Sequence, residues 1–221
     1  MKDYRQRVAD AVLAEKLAGK GAVLIEGPKW CGKTTTAEQL AKSVLYMANQ
    51  DSLKRNLQIA DFKPSRLLEG TRPRLLDEWQ IAPKLWDAVR FAVDHTTGFG
   101  HFILTGSTVP DERRDEIQHS GTGRISRMKM RPMSLWESGE SSGTVSLSDL
   151  FSQKEFEGGD STLSFEELAF LVCRGGWPSV IGMKGKIALD QSYDYIESVT
   201  ESDISKPDGV SRDPDSARRI I

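Results

Sequence analysis

Gly27, Gly32, Lys33 and Thr34 stand in the order G-x-x-x-x-G-K-T, inside a segment GPKWCGKTTT that directly follows the apolar run AVLIE. These residue types at this spacing suit the binding of phosphate. Glycines let successive backbone N–H groups curl around anionic oxygens with no Cβ in the way, and a helix opening near Lys33 adds its positive end. Lys33 brings a compact charge to the β- and γ-phosphates of a nucleotide, and the Thr34 hydroxyl can ligate Mg²⁺. Gly27, Pro28, Lys29, Trp30, Cys31, Gly32, Lys33, Thr34 and Thr35 are therefore the candidate nucleotide-binding residues.

A second acidic element follows in PRLLDEWQ, which puts Asp77 and Glu78 at the carboxyl end of an apolar stretch. Open parallel sheets collect their ligands at that edge. Asp77 is expected to hold Mg²⁺, directly or through water, and Glu78 to orient or deprotonate a water attacking the γ-phosphate. In HFILTGST, Thr105, Ser107 and Thr108 end another apolar run. Ser107 is the candidate to position that water or feel the γ-phosphate.

The elements that must position these residues follow from periodicity. Tyr4, Val8, Val12 and Leu13 predict a helix over 3–18, AVLIE a buried strand at 22–26, and Ala37, Leu40, Ala41, Val44 and Leu45 a helix over 33–47. Strands are expected at 57–62, 74–78 and 101–106, with a helix carrying Leu85, Trp86, Val89, Ala92 and Val93 between the last two. Residues 109–123 are polar and suit an exposed loop. GRISRMKMRP alternates, with Arg127, Lys129 and Arg131 on one side and Ser126, Met128 and Met130 on the other, so it predicts a strand stopped by Pro132. Residues 137–146 and 153–164 resemble linkers, while 164–174 and 188–203 look helical. The fold class expected is an α/β P-loop NTPase, a parallel sheet between helices, over 1–135. A smaller, mostly helical region occupies 136–221.

Composition narrows the classes. With 221 residues, 38% apolar and 28% charged, the chain can bury a substantial core. A net charge of −2 argues against a protein that coats nucleic acid. No apolar stretch reaches the roughly 18 residues of a membrane span, and the N-terminus is unlike a signal peptide, so a cytoplasmic location is expected. Cys31 and Cys173 stand far apart and show neither disulfide-framework nor zinc-site spacing.

The set GPKWCGKTT, LLDEWQ, ILTGS, HSGTGRISRMKMRPMSLWESGESSG and CRGGWP resembles the prokaryotic ATP-binding proteins of the AAA superfamily that carry a C-terminal domain of unknown function. The resemblance runs from about residue 3 to 221, and its long HSGTGR-to-ESG segment and GGWP are more specific than the two short NTPase motifs. It implies an AAA-type ATPase core, a winged-helix-like segment and then a nuclease-like domain, before which this sequence stops; DSARRII looks like the start of a helix, as in a chain cut short. It also implies Walker A residues Gly27, Gly32, Lys33 and Thr34, Walker B residues Asp77 and Glu78, and a sensor at Ser107. ATPases of this type meet the charge developing on the γ-phosphate with an arginine, often from a neighbouring subunit. Arg113, Arg114, Arg124 and Arg127 are the candidates, Arg124 standing in a Gly-framed turn.

Three functions are compatible with these residues. The first is a Mg²⁺-dependent ATPase whose turnover drives a conformational change, with ATP and ADP as ligands and a homo-oligomer supplying the arginine in trans. The second is a nucleotide-gated interaction switch with little turnover; the third, a small-molecule P-loop kinase, lacks an evident acceptor site. A protein partner or DNA would be engaged through the absent C-terminal region, because Arg127, Lys129 and Arg131 alone make a small footprint without a stacking platform. Cys31, beside Lys33 and a helix start, is a candidate for an acidified thiol or simply a variable loop position. Trp30 is placed to meet the base or a partner, and Trp177 to anchor the GGWP turn.

Overall fold

The computed structural model describes residues 4–106, 117–152, 154–155, 158–203 and 212–219. Five strands form the sheet: β1 Ala22–Glu26, β2 Ser43–Tyr46, β3 Arg74–Asp77, β4 Phe102–Gly106 and β5 Ile125–Lys129, in the order β2-β3-β4-β1-β5. Every pairing is parallel. The central strands are apolar on both sides because both faces are covered. Ala22, Leu24, Leu76, Phe102, Leu104 and Ile125 pack under α3 (Gln50–Phe62) and α4 (Lys84–Asp94). On the other face, Val23, Ile25, Leu75, Ile103, Met128 and Met130 meet Leu13 and Leu17 of α1 (Val8–Gly19) and Ala37 of α2 (Lys33–Glu38). This is the three-layer α/β arrangement of a P-loop NTPase.

Two expected elements differ. The helix expected over 33–47 ends at Glu38, and Ser43–Tyr46 is instead strand β2, paired with β3 from Ser43↔Arg74 to Tyr46↔Asp77. Val44 and Leu45 fit either period, and pairing along a whole strand outweighs weak helical preference. The strand expected at 57–62 is the last half of α3, which opens where the Asn49 side chain accepts from the Asp51 amide at 3.0 Å. Leu57 and Ala60, three apart, turn toward the core as helical neighbours do. The first helix begins at Val8 rather than residue 3, leaving Tyr4 to Arg7 extended.

Beyond the sheet come α5 (Leu135–Ser138), α6 (Leu147–Phe151), α7 (Phe165–Arg174), α8 (Gly185–Ser198) and α9 (Pro214–Arg218). Ser134 with Glu137 and Ser164 with Glu167 form capping boxes that start α5 and α7. The short α6 falls between the two expected linkers, and α8 begins three residues before the expected helix and runs on through a π-helical turn, Val199–Asp203. The Gly176 carbonyl accepts from the Met133 amide at 2.7 Å and Trp177 packs on Tyr195, so GGWP docks this region beside the end of β5. No helix among the described residues is long and apolar enough to cross a membrane.

Candidate nucleotide site

Parallel register brings the site together. Asp77 ends β3 opposite Thr105 of β4, and Glu26 ends β1 opposite Gly106, so the loop after β1 opens beside both. A Cβ at Gly27 would run into the Met130 carbonyl, and Gly32 has φ 97°, a left-handed conformation that favours glycine, as it caps α2. The first-turn amides of α2 have no partner inside the helix, so they point into the loop as donors.

Lys33 is buried at 7% exposure, and its ammonium donates to the carbonyls of Gly27 at 3.0 Å and Pro28 at 2.9 Å. The cation is thus held at the mouth of the loop by acceptors that a phosphate can replace. Asp77 is also buried, and its Oδ1 accepts from the hydroxyls of Thr34 at 2.6 Å and Thr105 at 2.7 Å. A carboxylate and a hydroxyl in contact form the oxygen-donor pair a hard divalent cation prefers. Thr34 and Asp77 thus present a donor set that suits Mg²⁺. Glu78 sits next in a left-handed conformation, φ 55°, unusual for a residue with a side chain, and its carboxylate accepts from the Gln80 amide. Gln80 is a neighbour sequence reasoning passed over; its place two residues after Glu78 was the available signal.

A cavity of about 700 Å³ opens next to the loop, lined by Tyr4, Arg5, Arg7, Gly32, Thr35, Thr36, Met133, Pro178, Ser179 and Ile181. The extended N-terminal stretch, the start of α2 and the segment after GGWP enclose it. None of Tyr4, Arg5 and Arg7 was singled out as a site residue, because nothing local in DYRQR marks a pocket. The Tyr4 hydroxyl donates to Asp10 at 2.5 Å and lies 3.0 Å from the Thr36 hydroxyl; burial, reinforced by Asp10, raises the phenol above its ordinary pKa. Arg7 is buried and clamps three segments, donating to the Cys31 carbonyl at 2.9 Å, the Arg131 carbonyl at 2.8 Å and Glu137 at 2.9 Å. Burial pushes Glu137 up, but the amides of Ser134 and Val8 together with Arg7 outweigh it and hold the carboxyl below its usual range.

The other candidates are placed as follows. Cys31 is buried, and burial raises its thiol despite the nearby Lys33, which corrects the acidified-thiol reading. Trp30, 57% exposed, meets the ring of Tyr195 on α8 at 5.7 Å. Arg124 stands at the opposite edge of the sheet: its carbonyl accepts from Ala22, the first residue of β1, and its guanidinium pairs with Asp94 at 2.6 Å. A strand of this length spans about 15 Å, so Arg124 does not serve the loop of its own chain. Arg127 pairs with Glu26 at 2.8 Å and lies over the Trp86 ring at 5.2 Å. Ser107, Arg113 and Arg114 lie outside the described residues.

A sequence model of the family described as AAA domain matches residues 19–138, just over half of the chain. Among solved structures, the Walker-type ATPase of Pyrococcus abyssi superposes with a TM-score of 0.53 at 14% identity, over 99% of this chain and 77% of that one. A likeness at that identity concerns the fold. No curated protein matches the sequence significantly.

Proposed function

This chain belongs to the AAA domain family, and from that premise we propose that it binds ATP with Mg²⁺ and hydrolyses it, turnover being coupled to movement of the helices after Leu135. The observation that carries the reading is the convergence on Asp77 Oδ1 of the Thr34 and Thr105 hydroxyls, with Lys33 held by the loop carbonyls alongside. Gly27, Pro28, Lys29, Trp30, Cys31, Gly32, Lys33, Thr34 and Thr35 wrap the phosphates, and Lys33 trades its two carbonyls for β- and γ-phosphate oxygens. With the phosphates along this loop, the nucleoside falls into the cavity beside Thr35 and Thr36, against Tyr4 and Ile181. When bound at Thr34 and Asp77, Mg²⁺ neutralises charge on the phosphate oxygens. Glu78 orients a water and takes its proton, Gln80 holding the carboxylate in place until then. Ser107 is the proposed sensor, and a neighbouring copy supplies the arginine, with Arg124 at the free edge of that copy as the candidate.

Steady-state hydrolysis measured beside nucleotide affinity tests this. Glu78→Gln is expected to keep ATP affinity and lose about 10² to 10⁴ in turnover, the usual contribution of a positioned base. Lys33→Ala is expected to lose affinity itself. Unchanged turnover in Glu78→Gln would remove Glu78 as the base. A parent that binds ATP at Lys33 without turning it over would replace the ATPase by the nucleotide-gated switch.

A further inference from the structure

Beyond Arg124, the far edge of the sheet has features that the proposed nucleotide site does not use. Among the described residues, strand β5 pairs only with β1. The Met130 amide bonds to Glu26, and the Arg124 carbonyl accepts from Ala22, so even-numbered residues of β5 face β1 and odd-numbered ones turn their backbone groups outward. Among the described residues, no backbone partner meets Arg127 or Lys129 on that outer side. A groove of about 590 Å³ runs along it, between residues 127–132 and the outer stripe of α1. That stripe is Val8, Val12 and Lys16, spaced four apart on one helical face, and Val8 and Val12 are exposed at 57% and 37%.

The two faces of the sheet set what an added strand must carry. Arg127, Lys129 and Arg131 project to the α4 side, and all three are exposed. Arg127 already has Glu26 as counter-charge, whereas no ion pair engages Lys129 or Arg131 among the described residues. Met128 and Met130 project to the α1 side, where Val8 and Val12 overhang the edge. Side chains alternate along a strand, so a neighbour beyond β5 would place every second residue beside the cations and the others on the valines. A second copy of β5 is repelled by its own charges, the usual protection of an exposed edge. Nucleic acid would use the cations but neither the free backbone groups nor the apolar stripe, and the aromatic ring that Arg127 covers, Trp86, is buried and closed to stacking.

We propose that the β5 edge is a docking site for an extended segment of a partner protein, alternating acidic and apolar residues, which adds as a sixth strand with its acids on Lys129 and Arg131 and its apolar side chains on Val8 and Val12. Backbone hydrogen bonds to Arg127 and Lys129 supply affinity, and the alternating pockets supply selectivity.

A fluorescein-labelled peptide of about ten alternating Glu and Val residues, titrated with the full chain and followed by anisotropy, tests this. Saturable binding is expected, weakened about tenfold or more by the double substitution Lys129→Glu/Arg131→Glu and also by Val12→Asp. Thermal melts should match the parent, since all three side chains are exposed. The charge-reversed protein should instead take up a Lys–Val peptide. Methylating alternate peptide nitrogens should abolish binding, because those nitrogens must donate to β5. The proposal is overturned if the parent ignores the Glu–Val peptide, if charge reversal leaves binding unchanged, or if the methylated peptide binds equally well. Capture of single-stranded oligothymidine, but not the peptide, by the same cations would make this strip a nucleic-acid surface.

Discussion

Phe102, at the start of β4, is fully buried, whereas Phe165, at the start of α7, leaves 92% of its surface exposed. The pair stands for two regions built on different terms. In the sheet, Val23, Ile25, Leu75, Leu76, Ile103 and Leu104 are all sealed, and the central strands β1, β3 and β4 are held on both faces. After Leu135, large apolar side chains such as Phe151, Val172, Ile187 and Tyr193 remain on the surface, and order comes from capping boxes, the ion pairs Arg7–Glu137 and Arg174–Glu140 and a few aromatic contacts. Hydrophobic stabilisation scales with buried apolar area, so the sheet is expected to carry most of the stability and the later region to be the less firmly held. The largest expected effect tests that division. Phe102→Ala should lower the unfolding free energy by about 3–5 kcal/mol, and Phe165→Ala should change it by no more than about 0.5 kcal/mol. Urea unfolding of both variants measures it; equal losses would mean Phe165 is covered in solution.

The next effect separates the regions electrostatically. Arg174 is 2% exposed, and its guanidinium takes both oxygens of Glu140, at 2.6 and 3.3 Å, while its carbonyl accepts from Ser192 of α8 at 2.8 Å. Glu140→Ala leaves that cation buried without its partner and should cost about 2–4 kcal/mol, concentrated in α7 and α8. Burial raises the Glu140 carboxyl, but Arg174 and Ser138 outweigh it and hold it below the ordinary value. Its contribution is therefore present above the ordinary carboxylate pKa and disappears as pH falls through the lowered one. Thermal melts followed by hydrogen exchange should show parent and variant converging in acid for α7 and α8, with the strands unaffected. A constant gap at every pH would exclude this pair as the fastening.

The same division governs what the sequence disclosed. Strands β1, β3 and β4 were legible because strands buried on both faces are short continuous apolar runs, and the phosphate loop because its spacing is dictated by backbone approach to an anion. The position of Asp77 at the end of β3 was legible from its place after RLL. The apolar positions Val44 and Leu45 were not, because four residues cannot distinguish a period of 2 from one of 3.6, and β2 exists through its pairing with β3. Leu57 and Ile59 misled in the opposite sense, since the Asn49 cap that begins α3 lies eight residues before Leu57. The cavity proposed for the nucleoside was hidden for another reason: Tyr4, Thr36 and Ile181 meet only through the fold. Arg124 looked well placed in its Gly-framed turn, but a turn reveals nothing of which sheet edge it occupies.

The smallest effect lies where the two regions touch. Trp30 sits in the middle of the phosphate loop with φ 63°, and its ring meets Tyr195 of α8 edge-on at 5.7 Å; Tyr195 in turn packs on Trp177 at 4.5 Å. A residue with a side chain held in that conformation needs outside support, and the Tyr195 ring is a contact α8 provides. An aromatic pair contributes about 0.5–1.5 kcal/mol, too little to hold a domain but enough to change nucleotide affinity by roughly twofold to tenfold. A double-mutant cycle of Trp30→Ala and Tyr195→Ala, read as ATP affinity, should return a coupling of that size, while Tyr195→Ala alone should leave the urea midpoint of the sheet unchanged. Zero coupling would show that the loop and α8 respond separately to nucleotide. A coupling within the expected range would make the loop's own tryptophan the point at which phosphate binding is felt by the helices beyond the sheet.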